Sequence, residues 1–257
     1  MLMAIIVFIL GSIVGSFLNV CIWRMPRGLS IVFPGSHCPY CNNRINWYDN
    51  IPLLSYLLLR GHCRDCNVVI HPCYFIVEML TGLMFLLCLW RWGVSGESLV
   101  YGLFFGLLII ASFVDIRWRI IPDEVSLGGA ACGLALSFFF PVIQQSAGHL
   151  EGLGWSFLGM LCGAAITYST GVLGTIVFRK EAMGFGDVKI MACIGAFLGW
   201  KFALLAFFIA PLFGSLYGVF VLLRRKSHLI PYGPFLSLGA IVALLYGKKI
   251  LSFLFLI

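Results

Sequence analysis

Long apolar runs separated by short polar segments dominate the chain. They fall at residues 2–23, 74–92, 97–114, 124–143, 152–178, 187–199, 202–223 and 234–256. A helix needs about 20 apolar residues to cross a bilayer, and most of these runs supply them. The run at 187–199 is short, as suits a helix that starts in a protein-lined cavity and not at a lipid surface. Lys248 and Lys249 interrupt the last run, where long side chains can snorkel to an interface. The pattern predicts an all-α polytopic membrane protein with about eight transmembrane helices, seven being the alternative. No low-complexity tract and no sequence repeat stand out.

Composition changes the picture only by hardening it. Hydrophobic residues make up 61% of the 257, charged residues only 11%, and the mean hydropathy is +1.02. A soluble domain carries roughly a quarter charged residues, so lipid is the solvent here. The net charge of +7 does not point to nucleic acid, because the basic residues sit in short clusters between apolar runs. No basic residue precedes Arg24, which predicts a first helix that inserts with its N-terminus outside and stays attached. Alternate loops then collect the charge. One set holds Arg24, Arg27, Arg44, Arg60, Arg64, Arg117, Arg119, Arg179, Lys180, Lys189 and Arg224 to Lys226; the other holds little beyond Arg91 and Lys201. The first set is assigned to the cytoplasm. The chain thus divides into a first transmembrane helix (1–23), a small cytoplasmic domain between helices 1 and 2 (24–73) and a transmembrane core (74–257).

That small domain is too short to build a sizeable core alone and needs a staple. It contains Cys38-Pro-Tyr-Cys41 and Cys63-Arg-Asp-Cys66, with 21 residues between the two pairs. Four thiolates in this arrangement suit one tetrahedral zinc, although the separation lies just beyond the usual window. A cytoplasmic loop disfavours disulfides. A redox pair remains an alternative, without a thioredoxin-like context to support it. Cys73, His37, His62 and His71 lie near enough to replace a ligand. Cys21, Cys88, Cys132, Cys162 and Cys193 fall in apolar runs and read as buried fillers.

With ten acidic residues in all, each can be weighed. Glu97 and Glu151 belong to outer-loop edges, Asp49 and Asp65 to the small domain. Glu78 either meets that domain or sits at the interface. Asp115 ends the third apolar run, and Asp187 opens the short one within Met183-Gly-Phe-Gly-Asp-Val-Lys189. Both fall at the same cytoplasmic boundary. A carboxylate at such depth is a functional candidate by default. Two that meet cannot both ionise, so one activates water while the other donates to a carbonyl, as in aspartyl proteases. Gly184 and Gly186 would form the loop that lets Asp187 approach its partner. Asp187 as a plain helix cap is the bland alternative. Asp123 is the rival acid; after Ile121-Pro122 it reads as a helix N-cap. Glu124 reads as first-turn dipole compensation and Glu181 as a solvated loop charge.

These residues resemble a known family, the bacterial type IV prepilin peptidases with N-methyltransferase activity. Four stretches carry the likeness: Gly15 to Val20 with Arg24-Met-Pro26; Pro34 to Pro39 with Asp49 to Tyr56 and Arg60 to Cys63; Asp115 to Asp123 with Met183 to Lys189; and Pro231-Tyr-Gly-Pro-Phe-Leu236. The resemblance implies eight membrane helices, a cytoplasmic zinc-binding domain and a catalytic pair at Asp115 and Asp187 in the bacterial inner membrane, facing the cytoplasm. It implies cleavage after a glycine in the leader of prepilins or type II secretion pseudopilins. It also implies methylation of the new N-terminal residue from S-adenosylmethionine, with Gly61 matching the glycine associated with that step. His62 stands where the family usually has Lys, and His71 to Phe75 where it usually has a Ser-x-Arg-Tyr-Pro string. Peptidase activity without methyl transfer is therefore one alternative. A proton-coupled transporter and a structural assembly factor are the others; in the last, Asp115 and Asp187 would be dispensable.

Overall fold

The computed structural model describes residues 1–180, 183–223 and 231–255. Among these the regular structure is helical, apart from two isolated β-bridges in the small domain. The helices are α1 (Leu2–Arg24), α2 (Leu54–Leu58), α3 (Cys73–Trp92), α4 (Gly96–Trp118), α5 (Asp123–Phe139), α6 (His149–Phe178), α7 (Phe185–Leu223) and α8 (Gly233–Phe255). The chain forms two compact units, Met1–Ile110 and Ala111–Ile257.

In the first unit α1 and α3 pack through small residues, because lipid-soluble helices gain by close backbone approach and not by hiding apolar surface. A methyl group on Gly11 would lie 2.9 Å from the Gly82 Cα, and one on Gly15 would lie 2.8 Å from the Glu78 Cα. The small domain is tied to these helices by polar contacts. Asn19 donates to the Tyr74 carbonyl at 3.0 Å. Buried Arg24 donates to the carbonyls of Ser30 (3.0 Å) and Gly35 (3.3 Å). The Glu78 carboxylate accepts the Leu53 N–H at 2.7 Å, which decides between its two sequence readings in favour of the small domain. Leu53 itself is left-handed (φ 62°, ψ −49°) and closes a three-residue turn from Leu54 N–H to the Pro52 carbonyl at 2.6 Å. That backbone form is strained for a leucine, and the bond to buried Glu78 helps to hold it.

In the second unit α7 is the organising element. Gly199 (φ 76°, ψ 170°) breaks it, and the two halves cannot be collinear. A straight helix would separate Asp187 from Gly214 by about 40 Å. Yet Asp187 acts electrostatically on Tyr232, and Tyr232 and Phe235 line one cavity with Pro211, Gly214 and Ser215. The chain therefore folds back at Gly199. A break in the ladder frees carbonyls that lipid cannot satisfy. Here the Ala196 carbonyl accepts from the Ser156 hydroxyl (2.6 Å) and the Gln144 amide (3.0 Å), and the Phe197 carbonyl accepts from Gln144 at 3.3 Å.

Among the described residues, six helices are long and apolar enough to cross a membrane: α1, α3, α4, α6, α7 and α8. The expected eight are not confirmed. Two features account for the difference: α5 is only 17 residues long, and the two helical halves of α7 on either side of Gly199 count as one span.

The α6–α7 seam is the tightest in this unit. Gly159 and Gly195 face each other so closely that a methyl group on either would collide with the backbone of the other. Replacing Gly195 by Ala should destabilise the protein by about 1–3 kcal/mol, the usual cost of overpacking. Gly154→Ala, on α6 with open space around it, should cost nothing. Thermal unfolding in detergent reads both; equal midpoints would show that the seam is not tight.

Candidate functional site

Asp115 lies in the last turn of α4 and is only 7% exposed, so its carboxylate depends on protein partners. Its Oδ2 accepts the Gly233 N–H at 2.8 Å. Asp187 lies in the first turn of α7. Its Oδ2 accepts the Gly184 N–H at 3.3 Å while its own N–H donates to the Gly184 carbonyl at 3.0 Å. The first bond is the acid's arm of a capping box, made from the third helical position; the second is an ordinary first-turn backbone bond, since Gly184 has no side chain to supply the other arm. Asp187 is therefore not itself an N-cap but a first-turn acid bonded to the residue that precedes the helix, and it interacts electrostatically with Asp115.

The glycines of this loop work differently from the expectation of a sharp turn. Neither Gly184 nor Gly186 has a left-handed backbone. Gly186 instead lies against Ile121, where an added Cβ would sit 3.4 Å from the Ile121 Cβ. Asp123 is not an N-cap. It is the first residue of α5, makes no capping bond, and forms an ion pair with Lys189 at 2.5 Å with its side chain largely exposed. Glu124 does lie in the first turn of α5. Glu181 lies outside the described residues.

The four cysteines of the small domain converge. The Sγ atoms of Cys38, Cys41, Cys63 and Cys66 all lie within 4.8 Å of one another, and Cys38 and Cys66 are 3.8 Å apart. Tetrahedral ligation at a Zn–S distance of about 2.3 Å requires sulfur–sulfur edges of about 3.8 Å, so the cluster fits a metal of this kind. His37, His62, His71 and Cys73 are not in the cluster. Backbone N–H groups orient the sulfurs. Burial works to raise the Cys38 thiol, but the N–H groups of Cys41 and Tyr40 and the neighbouring thiols bring it down to about 7. For Cys66 the Val68 N–H is outweighed by burial and the other three thiols, which push it up to about 12. One thiol of the four is thus ready to lose its proton first, and bound metal would displace the rest.

The two cysteine pairs are copies of one device. In each, the first cysteine N–H donates to the carbonyl five residues on (Asn43, 3.0 Å; Val68, 2.9 Å), and an asparagine after the second cysteine is left-handed (Asn42 and Asn67, both φ 57°). In each, the histidine before the first cysteine bonds through Nδ1 to the carbonyl two residues back (2.9 and 2.8 Å). The signal was present as the hexapeptide His-Cys-x-x-Cys-Asn at 37–42 and again at 62–67, a repeat too short to notice against the apolar background.

Two family models match the chain. One describes a bacterial peptidase A24 N-terminal domain and covers residues 9–92; the other describes the type IV leader peptidase family and covers residues 102–219. Among curated proteins, the chain is 37% identical over 252 residues to the type 4 prepilin-like proteins leader peptide-processing enzyme of an Escherichia coli strain, covering 91% of this chain and 90% of that one. The chain belongs to the type IV leader peptidase family. It is 35% identical to the prepilin leader peptidase/N-methyltransferase of Bacillus subtilis, with 96% of both chains covered. It is 40% identical to the protein of that name from Myxococcus xanthus, over 86% of this chain but only 64% of the relative's length. No solved structure matches.

Membership of a leader peptidase family makes the chain an enzyme and directs attention to residues that sequence reasoning left without a role. Tyr232 and Gly233, quoted above only as part of the resemblance, reach the acids: Gly233 bonds Asp115, and burial and then the Asp187 carboxylate push the Tyr232 phenol up to about 12. Gly61 has an ordinary reason to be glycine. It is left-handed (φ 72°) and packs on Tyr56, whose hydroxyl would lie 3.0 Å from an added Cβ. His62, the departure from the family's Lys, plays the same hydrogen-bonding part as His37.

Proposed function

We propose that this enzyme cleaves the leader peptide of type IV prepilins or type II secretion pseudopilins, using Asp115 and Asp187 as its catalytic dyad. The reading rests on one observation above all: a buried Asp115 at the end of α4 interacts with Asp187 at the start of α7. One carboxylate, ionised, takes a proton from water as the oxygen attacks the scissile carbonyl carbon. The other, protonated, gives its proton to the carbonyl oxygen. Collapse of the tetrahedral intermediate breaks the C–N bond, the new amine takes a proton, and the leader leaves with a carboxyl end. In this reading the chain crosses the inner membrane eight times, with α5 as one crossing and the two halves of α7 as two, and the dyad lies at the cytoplasmic side; the reversal at Gly199 and the collection of basic residues in alternate loops support it. In this reading residues 24–73 are the zinc domain, 74–257 the peptidase core, and lipid the solvent.

The same enzyme then transfers the methyl group of S-adenosylmethionine to the new N-terminal amine, with Gly61 in the domain that serves this step. Zinc held by Cys38, Cys41, Cys63 and Cys66 supplies that domain's staple. Mass spectrometry of a synthetic prepilin incubated with the purified protein and S-adenosylmethionine reads both activities. The expected product has lost its leader and gained one methyl group. A bulky residue at Gly61 should remove the methyl group and spare cleavage. Because that residue also strains the turn against Tyr56, zinc content is to be measured on the same sample. Lost methylation with retained zinc supports the assignment; joint loss assigns Gly61 to the fold. Efficient cleavage by the intact protein without any methyl transfer makes it a peptidase only, and uncleaved substrate would return the proton-coupled transporter reading.

A further inference from the structure

The dyad proposed above leaves open which aspartate acts as base. We propose that Gly233 is a positioning residue that settles this question, holding Asp115 as the ionised member so that Asp187 carries the shared proton. The inference rests on the dyad reading, and the experiment below separates their failures.

The hydrogen bonding of the two acids is unequal. Asp187 is bonded within its own turn, to Gly184 at 3.3 Å. Asp115 receives a donor from a different helix at 2.8 Å. That donor is the first N–H of α8, at the positive end of the helix dipole, where a negative charge is favoured. The first turn of α8 has little else to offer. Residue 234 is proline and has no N–H, while the N–H groups of Phe235 and Leu236 both donate to the Tyr232 carbonyl (3.0 and 3.2 Å). The Gly233 N–H is therefore the donor this helix end spends on Asp115.

Space confirms the pairing. A Cβ on Gly233 would lie 2.9 Å from Asp115 Oδ2 and 3.3 Å from its Cβ and Cγ. The backbone at Gly233 is not left-handed, so alanine meets no conformational penalty there. The absence of a side chain serves the carboxylate and not the chain path. Among the described residues, charge beyond Asp187 also acts on this carboxylate. Arg119, on the segment following it, acts on Asp115 electrostatically. Lys189 on α7 is paired with Asp123 on α5. Tyr232, raised to about 12, stays neutral across the assay range.

The test is the pH profile of kcat/KM for cleavage of a synthetic prepilin by the full-length enzyme in detergent. The acid limb reports deprotonation of the base. Gly233→Ala displaces the carboxylate from its donor; the ionised form loses stabilisation, so the limb moves to higher pH, by about one unit. kcat should fall at least tenfold with little change in KM. Gly214→Ala, at the same α7–α8 junction but with ordinary contact to Phe235, should leave the limb in place. Should Gly233→Ala fail to fold, glycolic acid in place of Gly233 replaces the amide by an ester; it removes the N–H without adding a side chain, weakens the Tyr232 carbonyl as acceptor for Phe235 and Leu236, and should give the same shift. A lower kcat with an unmoved limb in both would overturn the proposal and leave Gly233 a packing residue. Normal cleavage by Asp115→Asn would instead overturn the dyad itself.

Discussion

Asparagine at Asp115 or at Asp187 lowers the rate of prepilin cleavage by about 10³-fold or more while the chain still inserts in the membrane. Asparagine has the shape of aspartate but can neither take a proton from water nor give one to a carbonyl. At position 115 it can still accept the Gly233 N–H through its amide oxygen, so the α4–α8 contact survives. At position 187 it can still accept from Gly184, so the start of α7 survives. Loss of activity in these proteins is therefore loss of chemistry. The two substitutions together should be no worse than either alone, because both disable one proton relay. Asp123→Asn is the discriminating control. It removes the ion pair to Lys189, but that carboxylate is exposed and faces neither Asp115 nor Asp187, so cleavage should stay within about twofold of the parent. A dead Asp123→Asn protein beside an active Asp115→Asn protein would transfer the catalytic role to Asp123. Initial rates on a synthetic prepilin, normalised to membrane-inserted enzyme, decide it.

Removing the metal from the four-cysteine cluster should unfold the small domain and leave the helices in place. That domain has one five-residue α-helix, two single-turn 3-10 helices and two isolated β-bridges for internal structure, too little to build a sizeable core in a segment of its size. Zinc in such a setting contributes about 10–16 kcal/mol of binding free energy, and most of the domain's order is bound to it. Purified protein should carry about one zinc per chain, and the Cys38→Ser, Cys63→Ser double variant close to none. Limited proteolysis should then cut between residues 28 and 71 at least tenfold faster, while helical circular dichroism changes little. Unchanged zinc in the double variant, or unchanged proteolysis after its loss, would count against a structural metal.

Much of this was legible in the sequence, for physical reasons that differ from place to place. The apolar runs marked the helices because lipid tolerates little else over that length. The cysteines announced their convergence because two such pairs in one small polar segment have few other uses. The two acids of the proposed dyad stood out by elimination, from few acids and a shared position at the ends of apolar runs. What stayed hidden depends on contacts between distant segments. Gly233 is 118 residues from Asp115, and nothing local to it signals a carboxylate. The partner of Asp123 is on α7, so a residue that looks like a helix cap is an ion-pair member. The apolar runs that part between residues 199 and 202 announced a break, but not that Ser156 and Gln144 would satisfy the carbonyls freed before Gly199. The left-handed Leu53 that buried Glu78 helps to hold has no local signal, although contact of Glu78 with the small domain was one of its two sequence readings.

The paired cysteine turns have a consequence for the surface of the small domain. Two equivalent frames hold the metal, but their tips are free to diverge, because the two residues between the cysteines contribute backbone to the frame and send their side chains elsewhere. One tip carries Pro39 and Tyr40, with the tyrosine 73% exposed. The other carries Arg64 and Asp65, with Arg64 Nε and Nη2 donating to Asp49 at 2.8 and 2.6 Å. A duplicated scaffold thus presents an aromatic corner and a charged corner at fixed separation. Either corner can be recast by two substitutions without disturbing its twin.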